Sequence, residues 1–197
     1  MGSFAQDPQR GRVGMASVLM RPIAGSAALV LSAALSLGAG VAQAKTASQW
    51  LAVTAGVQIG IHQAMEKAQM LLPGKVIEIE LEEGKKGAAP YYEVTLISVG
   101  NEMVTLRVSA ATGDAAIDEK KGRAESKHFR RLADTRITLA QAVDAAVAAR
   151  PGKPLEAKLD SDWGRTHYKI KLLQADRVVM KVKVDPATGA VIDSKKD

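Results

Sequence analysis

The segment from Gln63-Ala64 to Leu72-Pro73-Gly74-Lys75 recurs as Gln141-Ala142 to Arg150-Pro151-Gly152-Lys153, and Ala111-Thr112-Gly113 recurs as Ala187-Thr188-Gly189. A chain that repeats at a fixed spacing uses one supersecondary unit more than once, so its fold must be built from two copies. The copies run from Ile59 to Asp118 and from Ile137 to Asp193. Their offset is 78 residues from Ala64 to Ala142 and 76 from Tyr92 to Tyr168, which places a two-residue length difference in the loop between. A unit of about 60 residues buries only about 60% of its unfolded surface and is marginal alone. Each copy is therefore expected to lean on the other. The expected picture is two similar small layers, each too slight to hold a catalytic cleft.

Within the second copy, Thr138 and Gln141 have capping-box spacing, in which hydroxyl and amide each satisfy a backbone N–H left free at a helix start. Leu139, Ala142, Val143, Ala146 and Val147 follow the helical period, and Arg150-Pro151-Gly152 ends it. The first copy repeats the stripe in Ile61, Ala64, Met65, Ala68 and Leu72, but Gly60 stands where the capping hydroxyl should be, so that start is expected to be looser. After each Pro-Gly the period becomes two. Ile77, Ile79 and Leu81 are expected on one face, followed by Tyr92, Val94 and Leu96, then Val104, Leu106 and Val108. The second copy offers Leu155, Ala157 and Leu159, then Tyr168, Ile170 and Leu172, then Met180, Val182 and Val184. Thr112-Gly113 and Thr188-Gly189 then turn the chain into a short final strand. The fold class is α+β: two repeats of one helix packed on a three- to four-stranded antiparallel meander.

The order of capped helix, Pro-Gly-Lys stop, Tyr-x-Val/Ile-x-Leu strand and terminal Val-Asp-x-x-Thr-Gly turn resembles the PepSY domain family, in tandem and most clearly from Ile137 to Asp193. The first copy departs from the family pattern at Gly60 and at Ser109, where an aspartate is usual. The resemblance implies a non-enzymatic module of metallopeptidase propeptides and exported envelope proteins, with inhibition of peptidases as the proposed role. It supplies no catalytic residue.

Arg10, Arg12 and Arg21 precede a small-residue apolar run from Ile23 to Val41, followed by Ala42-Gln43-Ala44. This pattern reads as a Sec-type signal peptide over residues 1–44 with cleavage after Ala44, hence a periplasmic protein; an uncleaved anchor is the alternative. The remaining organisation is a first repeat with an N-terminal extension over 45–118, a charged connector over 119–136 and a second repeat over 137–197. From residue 45 onward the chain carries 24 basic against 20 acidic side chains. That excess is too small to argue for nucleic acid, and an aromatic content of 4% leaves few rings for stacking on bases. There is no cysteine, so stability must come from packing.

The sequence carries no recognisable reactive constellation. His62, His128 and His167 lack metal-ligand spacing, and no zinc-protease, nucleophile-elbow or phosphate-loop motif occurs. Asp160-Ser161-Asp162-Trp163-Gly164 resembles the opening of a calcium loop, but Lys171 stands where the closing glutamate is required, so a hairpin turn is expected. The sharper feature is charge on outward strand faces. Glu78, Glu80 and Glu82 oppose Lys169, Lys171, Lys181 and Lys183 between the copies, and neighbouring lysines need compensation. Three readings stay open: solvated faces, a polarised partner-binding surface, or mutual attraction of the two faces. The functional expectation is an exported, non-catalytic binding module for a peptidase or other envelope protein. The alternative is a periplasmic ligand- or cation-sensing accessory protein. No cofactor, metal or nucleic acid is expected, and no membrane contact after loss of the leader.

Overall fold

The computed structural model describes residues 45–197, so the expected leader and its cleavage site lie outside the described residues. In chain order the elements are α1 (Ala47–Ala55), α2 (Ile61–Leu71), β1 (Gly74–Glu82), a single 3₁₀ turn, β2 (Tyr91–Ser98), β3 (Glu102–Ser109) and β4 (Ala115–Arg123). The second half adds α3 (Ser126–Ala133), α4 (Leu139–Ala149), β5 (Lys153–Asp162), β6 (Arg165–Leu173), β7 (Val179–Val184) and β8 (Val191–Lys196). Each copy is thus a helix followed by a four-stranded antiparallel meander, as the repeat requires.

The two meanders are one sheet. Its order is β4-β3-β2-β1-β5-β6-β7-β8, and β1 joins β5 through the pairs Glu78 with Lys158, Ile79 with Ala157 and Glu80 with Glu156. Ile79 and Ala157 are matched positions of the repeat, so a local two-fold axis passes through that pair, as in an isologous dimer. Buried side chains from both copies, from Trp50 to Val184, form a single contiguous core. Each copy leans on the other, as expected, but the two small layers are halves of one continuous layer. Pairing β1 with β5 removes two open backbone edges and merges two apolar faces that would each be marginal alone.

α2 buries Ile61, Ala64, Met65 and Ala68 against the sheet, and α4 buries Leu139, Ala142, Val143 and Ala146. The Tyr92 and Tyr168 hydroxyls donate to the carbonyls of Ile59 (3.1 Å) and Ile137 (2.8 Å), matched residues that lead into the two helices. Burial pushes the Tyr92 phenol up to about 12 and raises Tyr168 in the same direction. Removing the Tyr168 hydroxyl leaves the Ile137 carbonyl short of a partner, so Tyr168→Phe should cost about 1 kcal/mol in urea unfolding. A loss indistinguishable from zero would mean that water replaces the bond.

The capping expectation holds in detail. Gln141 N–H donates to Thr138 Oγ1 (3.2 Å) while Thr138 N–H donates to Gln141 Oε1 (2.8 Å). At Gly60 only the reciprocal half survives, from its N–H to Gln63 Oε1 at 3.1 Å. The glycine after each proline does more than end a helix: a Cβ on Gly74 would lie 2.5 Å from the Ile97 carbonyl oxygen, and one on Gly152 3.0 Å from that of Leu173. The hairpin at Trp163-Gly164 has φ of 50° and 78°, the paired positive angles of a type I′ turn, in line with the expected hairpin.

One strand assignment is corrected. The pairing of β1 with β2 shifts between Val76 and Glu78, and this bulge turns Ile77 away from Ile79 and Leu81. Ile77 instead packs with Ile97 and Ala124 in a second small cluster, against Met103 and Leu132. β5 carries the same irregularity between Pro154 and Glu156.

α1 was not foreseen, although Thr46 and Gln49 form the same capping box as Thr138 and Gln141. Residues 119–136 comprise the outer half of β4, then α3 and its exit. α1 and α3 hold matched places. Lys45, at the start of α1, pairs with Glu82 at 2.9 Å, whereas Arg131 of α3 pairs with Asp160, the match of Glu82, at 3.7 Å. The repeat is therefore one short helix longer than its sequence similarity shows.

Candidate functional site

Strand alternation sends every second side chain to the sheet face opposite α2 and α4. That face gathers Glu78, Glu80 and Glu82 from β1, Glu156, Lys158 and Asp160 from β5, Lys169 and Lys171 from β6, and Lys181 and Lys183 from β7. All seven residues singled out in the sequence thus share one surface. α1 and α3 reach only its opposite ends, through Glu82 and Asp160.

The lysines are compensated, as cross-strand repulsion demanded. Lys171 contacts Glu156 at 2.8 Å and Asp197 at 3.4 Å, and Lys181 contacts Asp197 at 2.5 Å. Lys169 reaches Asp160 at 3.2 Å and Lys183 reaches Asp162 at 2.6 Å. Between the copies, Lys158 lies 3.7 Å from Glu78, and along its own strand it lies 3.2 Å from Glu156. Apart from Glu78, these carboxylates are not among the residues expected on this face from the sequence. The signal was present, since Glu156, Lys158 and Asp160 alternate along one strand at the period that puts them on the lysine face.

Beside the two-fold axis two carboxylates face each other. Burial, then the charges of Glu156 and Glu82, push Glu80 up to about 7 against the opposing pull of Lys45 and Lys171. Glu156 is also desolvated, but the hydrogen bond from Lys171 and the charge of Lys158 outweigh that burial and hold it below its usual range. The proton of the pair therefore resides on Glu80. Lys171→Ala would leave the buried Glu156 with Lys158 alone and should cost about 1–2 kcal/mol in urea unfolding. An unchanged midpoint would show that Lys158 suffices.

On the helix side, a cleft of about 330 Å³ lies between α2, the start of β1 and the entry to α4, lined among others by Glu66, Lys75, Arg136 and Tyr168. His62 on its rim bridges the helices, with Nε2 2.9 Å from Asp144 Oδ1. Among the described residues no cluster of three or more His, Asp or Glu is arranged to hold a metal, and no helix is long and apolar enough to cross a membrane. Glu78 and Glu82 already pair with Lys158 and Lys45, a geometry that does not favour the cation-collecting alternative.

The family model described as PepSY, peptidase propeptide and YPEB domain, matches the chain twice, over residues 58–115 and 136–195. No curated protein matches it significantly in sequence. Among solved structures, the chain is similar to one described as a lipoprotein from Clostridium difficile 630, at 24% identity over 70% of this chain and 88% of that one, with a TM-score of 0.39. It is also similar to the YpmB protein from Bacillus subtilis, at 16% identity over 71% and 99% of the two chains, with a TM-score of 0.31.

Proposed function

The chain belongs to the PepSY family, matched twice over more than half its length, and we propose that it is an exported, non-catalytic binding module that inhibits or regulates a peptidase or another envelope protein. The positions that recur between the copies are spent on architecture: Gln63 and Gln141 cap helices, Tyr92 and Tyr168 tie down their entries, and Gly74 and Gly152 allow close strand approach. What distinguishes the copies is their outward charge. The observation that carries the proposal is the gathering of the acidic strand and the two lysine columns on one sheet face that α2 and α4 leave uncovered. Such a face gives a partner electrostatic steering and register more than raw affinity.

Affinity capture from a periplasmic extract, with the chain as bait, tests this reading. A protease or envelope protein recovered at low salt, and lost with Lys169→Gln/Lys183→Gln, is the expected result. These two lysines pair with the partly exposed Asp160 and Asp162, so the fold should tolerate the change. Capture that ignores the double variant would remove this face, and turnover of a small substrate by the purified chain would overturn the non-catalytic reading.

A further inference from the structure

Strand direction places the start of β1, the β2–β3 turn, the β5–β6 hairpin, the start of β8 and the end of β4 at one end of the sheet. The large apolar side chains left exposed concentrate there. Trp163 at the tip of its hairpin is 103% exposed, Val99 in the β2–β3 turn 85%, and Met70 at the end of α2 77%. Phe129 of α3 and Ile192 of β8 belong to the same end, since Phe129 lines one hollow with Val99 and Ile192 lines another with Gly164 and Arg165.

One markedly basic segment reaches the same end, where Asp160 and Asp162 flank the Trp163 hairpin. Residues 119–136, which run down β4 and through α3 to this end, hold seven basic and three acidic side chains, an excess of four. The whole stretch from residue 45 onward has 24 against 20, also an excess of four, so the rest of the described chain is balanced. Lys75, beside Phe129 and Leu132, is exposed. Its match Lys153 instead donates to the Thr54 carbonyl at 2.9 Å, where α1 packs down. The two ends, which the repeat would otherwise make alike, thus differ at this lysine and at the short helix beside it.

We infer that this end is a docking surface for an anionic lipid bilayer, on which the module sits peripherally with Trp163, Val99 and Phe129 at headgroup depth. The inference rests on the exported binding-module reading and departs from the expectation of no membrane contact. A fluid interface accepts isolated protrusions from two hairpin tips and a helix end. A protein partner would need a shaped, continuous counterpart. Trp and Phe settle at the headgroup level, and adjacent Lys and Arg are drawn to anionic lipid.

The test uses the chain from residue 45 onward, whose buried side chains form one contiguous core, and vesicles of phosphatidylcholine with and without phosphatidylglycerol. Trp50 is buried, so a blue shift in fluorescence reports Trp163. The expected result is co-sedimentation with the phosphatidylglycerol vesicles, a blue shift, and loss of both between about 50 mM and about 500 mM salt. Trp163→Ser/Val99→Ser, and separately Arg130→Glu, should weaken co-sedimentation about tenfold with an unchanged unfolding midpoint. No partition, equal binding to both vesicles, or variants that bind as the parent does would overturn the inference. So would preference for a soluble glutamate–tyrosine copolymer, which points to an acidic protein instead. Capture of an envelope protein alongside a negative vesicle result would sink only this inference.

Discussion

Replacing Ile79 by alanine is expected to lower global stability by about 3–4 kcal/mol, and to weaken both repeats rather than the first alone. Ile79 is fully buried, lies beside the local two-fold axis and pairs with Ala157 of the other copy. Large-to-small changes at such sites lose the transfer energy of the removed methyl groups plus the cost of the cavity, about 2–5 kcal/mol for isoleucine to alanine. The loss should stay clear of the bottom of that range because little can relax inward. The partner across the seam is only an alanine, and Leu81, Val94 and Leu106 around it are at zero exposure. Guanidinium or urea unfolding read at a residue of the second copy should show the full loss. Were β6 to keep the stability of the parent, the seam would be a contact between independent domains.

Glu80→Gln carries the opposite sign. A carboxyl whose pKa is raised in the folded state from 4.5 to about 7 takes up a proton on folding. Its favourable contribution is complete below the unfolded value, and is lost as pH rises through about 7. Above that pH, folding must hold an ionised Glu80 against burial, Glu156 and Glu82. Glutamine keeps the shape without the charge. The variant should therefore be more stable than the parent by about 2–3 kcal/mol near pH 8, with the difference shrinking to under about 1 kcal/mol near pH 5 and vanishing only below the unfolded value. Stability curves for the two proteins across this range check the sign directly. A variant that is less stable at the alkaline end would mean that Lys45 and Lys171, rather than the carboxylates, dominate the site.

Much of this fold is legible in the sequence because its periods are clean. Tyr92-x-Val94-x-Leu96 and Tyr168-x-Ile170-x-Leu172 alternate without interruption, and the Thr138 and Gln141 box marks a helix start that the structure repeats bond for bond. The seam is not legible. It sets Glu80 opposite Glu156, a like-charge pair that cross-strand rules count as unfavourable, so pattern reasoning points away from the true register. Ile77 misleads for a local reason, since a single bulged residue reverses a period-two assignment. α1 is obscured because only Trp50, Val53 and Thr54 of its nine residues are buried, which gives no sustained stripe. On the charged face the residue types were visible, but their partners were not. Whether a lysine is free or held by Asp160, Asp162 or Asp197 depends on which strands become neighbours.

The two copies make one body, with a continuous eight-stranded sheet and a shared core rather than two linked domains. Hydrogen exchange by mass spectrometry across a urea titration reports β2 and β6 separately in the same sample. A single midpoint and a common opening energy for both strands is the predicted result. Two midpoints, with one copy protected while the other has opened, would contradict it.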